Sequence, residues 1–95
     1  MYEGPVCIVR GPSEFNKLKK GDVLVSTYTS PVWTPLFRVA SALVTERGSA
    51  ISHAAIVARE YGIPAVVAIE NITNILRNGQ RIRLDGTKEI VTLLE

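Results

Sequence analysis

Residues 45–67 read TERGSAISHAAIVAREYGIPAVV, and the order of residue types within them specifies a loop, a helix and a strand. Ser52 is a residue type that accepts hydrogen bonds from the orphan N–H groups at a helix start, so it predicts an N-cap. The helix then runs from His53 through Tyr61, because Gly62 supplies a C-terminal stop and Pro64 forbids continuation. Ala65 to Ile69 follows as an apolar run without alternation, the pattern of a strand buried on both faces, which predicts a central place in a sheet. Upstream, Ala42 to Thr45 is a short apolar strand, and Glu46, Arg47, Gly48 and Ser49 form a polar, glycine-containing connection into the helix.

Working outward from that unit, Pro5 to Arg10 is a β-branched run closed by Gly11 and Pro12, and it reads as a first strand ending in a turn. Ser13 is placed to cap a short helix through Lys19. Gly21 and Asp22 break the chain ahead of a second strand, Val23 to Thr27. Thr34 and Pro35 have the form of an N-cap followed by proline at the first helical position, predicting a helix from Pro35 to Ala40. Toward the C-terminus, Asn71 is placed to cap a helix through Leu76 and Asn78-Gly79 turns the chain. Gln80 to Leu84 alternates as a strand with one wet face, and Asp85-Gly86 is a hairpin turn into Glu89 to Leu94. Strands and helices are interleaved, so the expected class is an α/β fold, with residues 1–95 as a single compact domain.

Composition bounds the function classes. A chain of 95 residues is too short for two separate cores, and 46% hydrophobic with 21% charged residues is a globular composition. The net charge of +2 is spread over scattered residues such as Lys17, Arg38, Arg59 and Arg83, without a basic run that would follow a nucleic-acid backbone. Cys7 is the only cysteine and sits among Val6, Ile8 and Val9, where it reads as a small apolar residue. No apolar stretch approaches the ~20 residues of a membrane span, and the N-terminus lacks the pattern of a signal peptide, so a cytoplasmic location is expected.

The chemistry is expected at the helix start. His53 is the only histidine, and it stands in the first turn behind Gly48, Ser49 and Ser52. Unsatisfied N–H groups and the helix dipole favour an anion there and disfavour a cation, so the same placement favours the neutral, nucleophilic ring. An imidazole can take a phosphoryl group and pass it on, whereas a serine ester is too inert for that duty. Thr45, Ser49 and Ser52 are placed to donate hydrogen bonds to phosphoryl oxygens. Gly48 would admit close backbone approach, and Arg47 is a better source of positive charge than Arg59, which falls on a different helical face. The ordinary readings stand beside these: Ser52 as a cap only, Gly48 as a turn residue, and Ala54, Ala55 and Ala58 as small residues packing a helix on a sheet. One His, one distant Cys and dispersed acids do not suit a metal site, a hydrolase triad exists on paper only because spacing orients no Asp or Glu on His53, and no nucleotide-binding glycine pattern is present.

The 45–67 run closely resembles the signature of the mobile phosphohistidine domain of PEP-utilising enzymes, a family that includes phosphoenolpyruvate synthase, pyruvate phosphate dikinase and rifampin phosphotransferase. Residues 21–25, 33–37 and 78–86 are similar to the same family. The resemblance implies a swivelling β/β/α domain in which His53 is the phosphorylated residue. It also implies partners: an ATP-grasp domain that holds ATP and Mg²⁺ and phosphorylates His53, and a second domain holding pyruvate, PEP or another acceptor, with no cofactor bound by the present domain alone. Two positions depart from the pattern. Ser49 replaces the second glycine of a usual Gly-Gly pair, and Ile51 replaces a threonine that is a regulatory phosphorylation site in some members.

Three readings follow. A phosphoryl carrier leads. A docking or regulatory module that keeps the fold but has lost phosphotransfer, with Ser49 as the suspect residue, is the second. A small hydrolase, which no feature requires, is the third. The Trp33 to Phe37 segment is left open between core and docking surface.

Overall fold

The computed structural model describes residues 2–29, 31–48, 52–88 and 90–94. Ser49 and Ile51, the two positions that depart from the family pattern, lie outside the described residues. Among the described residues six strands form one sheet: β1 (Tyr2–Ile8), β2 (Val23–Ser26), β3 (Ala42–Thr45), β4 (Ala65–Val66), β5 (Arg81–Asp85) and β6 (Ile90–Leu93), in the spatial order β4-β3-β2-β1-β5-β6. β1 to β4 are parallel, while β1 pairs with β5 and β5 with β6 in antiparallel fashion. The described residues also form two short α-helices, α1 (His53–Tyr61) and α2 (Ile72–Ile75), and two 3₁₀ segments, Pro12–Lys17 and Pro31–Arg38.

Alternation within the strands divides the core in two. On one face Val6, Ile8, Val23, Val25, Val44 and Val66 meet Ile82 and Leu84 of β5 together with Ile72 and Leu76. The sheet therefore curls so that β5 lies across this core against β4, which gives a β-on-β layer. On the other face Val9, Leu24 and Leu43 are covered by Trp33, Leu36 and Phe37 of the second 3₁₀ segment and by Ala54 and Ala58 of α1. This is the β/β/α layering that the resemblance implies, and Trp33, Leu36 and Phe37 are core rather than docking surface. Cys7 packs in the second cluster, where burial pushes its thiol above the ordinary value. No helix among the described residues is long and apolar enough to cross a membrane.

Several sequence expectations are corrected. The first strand begins at Tyr2 and ends at Ile8, not at residues 5–10, because Tyr2 to Pro5 pairs with Leu84 to Arg81 across the sheet, a partner 80 residues away for Glu3 and Arg83. The Ser13 cap is absent: Gly11 is the N-cap, Pro12 opens the turn, and Glu14 Oε1 accepts from the Arg10 N–H at 2.9 Å. The helix expected from Pro35 is a 3₁₀ segment starting at Pro31, with Pro35 inside it, so Thr34 caps nothing. Asn71 precedes α2 without a side-chain cap bond, itself in left-handed backbone at φ 63°.

The largest correction concerns β4. It is two residues long and lies at the end of the strand order, not at its centre, and Ala68 at φ 64° ends any extension of the strand. Its apolar run is explained by packing: the turn after β5 approaches it, so that a Cβ on Gly86 would sit 3.4 Å from the Ala65 backbone. By contrast, α1 has the predicted limits. Ser52 is its N-cap, accepting from the Ala55 N–H, and Gly62 closes it in left-handed backbone at φ 70°.

Candidate phosphoryl-acceptor site

Parallel strands send all their C-terminal ends to one edge of a sheet, and the crevice outside that edge is where α/β folds place ligands. Here the loops after β2 and β3 meet at that edge. Two backbone hydrogen bonds join them, from the Glu46 N–H to Ser26 O at 3.1 Å and from the Arg47 N–H to Thr27 O at 3.0 Å. The loop after β3 then enters α1, so His53 stands at the first helical residue beside the loop after β2.

The ring of His53 is held from two sides. Thr29, only 9% exposed, places Oγ1 3.0 Å from His53 Nδ1. The buried ring of Phe37 lies with its centroid 6.0 Å from the imidazole centroid at an interplanar angle of 56°, and Phe37 in turn contacts Tyr61 edge-on at the far end of α1. With Nδ1 facing Thr29, the ring tautomer decides which of the two groups donates. A neutral imidazole donating Nδ1–H to the threonine oxygen carries its lone pair on Nε2.

The other expected site residues fall into distinct places. Ser52 caps α1, and its Oγ is 3.4 Å from the Ala55 nitrogen. Gly48, at φ 138°, packs against that cap: a Cβ here would come within 2.9 Å of Ser52 Oγ and 3.4 Å of Val67 Cβ. The structure thus brings Gly48, Ser52 and His53 together. Thr45 is fully buried, and its hydroxyl donates to Arg47 O at 2.8 Å, which shapes the turn out of β3. Arg47 is exposed at the loop surface. Among the described residues no group of three or more His, Cys, Asp or Glu converges as metal ligands would.

Sequence reasoning missed Thr29 and Phe37. Thr29 lies 24 residues before His53, in a separate loop, and no spacing rule links them. Phe37 fell within the 33–37 segment, whose likeness was noted without a role. It also missed Glu46, whose carboxylate accepts from both the N–H and the hydroxyl of Thr73, with the former at 2.9 Å. Those bonds hold the Glu46 carboxyl below its ordinary value.

Comparison with known proteins gives concordant matches. Residues 18–89 match the family model described as PEP-utilising enzyme, mobile domain. The chain is 46% identical over 94 residues to a rifampicin phosphotransferase of Bacillus cereus, covering 99% of this chain and 11% of that protein. It is 53% identical over 79 residues to a phosphoenolpyruvate synthase of Pseudomonas aeruginosa, covering 83% of this chain and 10% of that protein. The solution structure of an Enzyme I protein superposes with a TM-score of 0.71 at 30% identity, covering 83% of this chain and 33% of that one. The chain therefore spans roughly a tenth of the length of these curated relatives.

Proposed function

On the premise that the chain belongs to the family of PEP-utilising enzyme mobile domains, we propose that it is a phosphoryl carrier whose acceptor atom is His53 Nε2. The observation that supports this reading is the contact between Thr29 and His53 Nδ1 at the start of α1, which orients the ring and, in the tautomer that carries its proton on Nδ1, leaves the Nε2 lone pair free to attack. In the first half-reaction the Nε2 lone pair attacks the phosphorus, the N–P bond forms, and the P–O bond to the donor breaks with its electron pair leaving on the donor oxygen. Nδ1–H stays on the ring and donates to Thr29 throughout. In the second half-reaction an acceptor oxygen attacks the same phosphorus and Nε2 leaves with its electrons.

The domain supplies position and electrostatics rather than a complete enzyme. The start of α1 favours the incoming anion, and the Ser52 cap and the Gly48 turn fix that start. The proposed donor is ATP with Mg²⁺ on an ATP-grasp partner domain, and the proposed acceptor on a second domain is pyruvate through its enol oxygen, giving PEP, or another compound through a hydroxyl. The contributions of Arg47 and Ser49 to phosphoryl binding belong to the same proposal.

The test is intact mass after incubation with ATP, Mg²⁺ and a nucleotide-binding domain of a relative, under neutral and acid quench. A gain of one phosphoryl group that is lost in acid and absent from His53→Ala is expected. A folded protein that takes up no phosphoryl group from several such domains would instead favour a docking module, with Ser49→Gly as the variant to make next.

A further inference from the structure

Glu46 is the first residue beyond β3, where an acid could simply be solvated. Its carboxylate instead takes two hydrogen bonds from Thr73, a residue 4% exposed in α2. Arg10, beyond the end of β1, holds the same residue from the other side, with Nη2 donating to Thr73 O at 3.2 Å. Charge-assisted bonds of this kind are short, directional and costly to leave half-made.

The backbone of Glu46 gives this tie its reach. Its N–H donates to Ser26 O and the next N–H, of Arg47, donates to Thr27 O. Ser26 and Thr27 lead within a few residues to Thr29, while Arg47 leads through Gly48 and the Ser52 cap to His53. Glu46 is thus the joint between the loop that carries Thr29, the loop that leads to His53 at the start of α1, and α2. We infer that Glu46, gripped by Thr73, is a positioning residue that sets the Thr29–His53 contact and so selects which ring nitrogen is presented. This deepens the carrier reading and rests on it.

The experiment uses the wild-type chain, Thr73→Val, Thr73→Ser and Glu46→Gln, with potassium phosphoramidate as a small phosphoryl donor that needs no partner domain. Two signals are read: the nitrogen and proton resonances of the His53 ring, and the ring nitrogen that becomes phosphorylated. The wild type is expected to show one neutral tautomer and label at Nε2. Thr73→Val and Glu46→Gln are expected to lose the single tautomer and gain label at Nδ1, and Thr73→Ser to restore the wild-type pattern. Rescue by serine is the result that a merely structural role for Thr73 packing would not give. If Thr73→Val does not fold, Glu46→Gln decides alone. Folded variants with the wild-type tautomer and wild-type label site would overturn the inference. A wild type that takes no label, yet has a fixed ring that Thr73→Val scrambles, would remove the carrier reading while leaving the positioning role in place.

Discussion

Thr29 Oγ1 lies 3.0 Å from His53 Nδ1, so the imidazole at the start of α1 is oriented by a residue from the loop after β2. If this contact sets the reactive tautomer, Thr29→Val should slow phosphoryl acceptance by about 10-fold, the equivalent of roughly 1.4 kcal/mol or one hydrogen bond. Thr29→Ser, which keeps the hydroxyl, should remain near wild type. Rapid-quench mass spectrometry on the three proteins checks the order, and equal rates for Val and wild type would remove Thr29 from the site.

Gly48 is confined by its backbone as well as by its neighbours. At φ 138° an L side chain is strained, and a Cβ would press on Ser52 Oγ at 2.9 Å. Gly48→Ala should therefore destabilise the domain by about 1–3 kcal/mol, the usual cost of a strained backbone position. Urea denaturation measures the loss, with a parallel drop in phosphoryl uptake expected because the Ser52 cap is displaced.

The cap itself separates stability from chemistry. Ser52→Ala should cost about 1 kcal/mol, as loss of an N-cap does. Ser52→Asp keeps a good cap and should retain stability, yet it places a second negative charge beside the incoming phosphoryl group and should slow its acceptance. A Ser52→Asp protein that is both stable and as fast as wild type would show that the anion does not sit at this end of α1.

Acid sensitivity follows from Glu46. Its folded-state pKa is depressed, chiefly by the Thr73 hydroxyl and then by the Thr73 N–H. The stabilisation is therefore fully present above the unfolded glutamate value and is lost as pH falls through the lower folded value. Glu14 is also depressed, mainly by the Arg10 N–H, and titrates in the same direction. The comparison that isolates Glu46 is thus melting temperature against pH for wild type and Glu46→Gln. The gap between them should be constant near neutrality and should close in acid below the ordinary glutamate range.

What the sequence revealed was what is local. The limits of α1 were legible because Ser52, Gly62 and Pro64 act on their own neighbourhood, and the wet face of β5 because Arg81 and Arg83 alternate with Ile82 and Leu84. The edge position of β4 was hidden. An apolar run reports burial and not its cause, and Ala65 and Val66 owe theirs partly to β5 and its following turn folding over them. The early start of β1 and the roles of Thr29 and Thr73 were hidden for a related reason, since each depends on a partner brought close only by the fold. His53 stands out in the sequence by its place at a capped helix start, while its contacts with Thr29 and Phe37 required the tertiary structure.

The most direct measurement is nitrogen-15 correlation spectroscopy of the phosphorylated chain, which assigns the phosphoryl group to one ring nitrogen. A single phosphohistidine at His53 is expected, with phosphorus on Nε2 and a protonated Nδ1 still bonded to Thr29. Phosphorus on Nδ1, or on any residue other than His53, would contradict it.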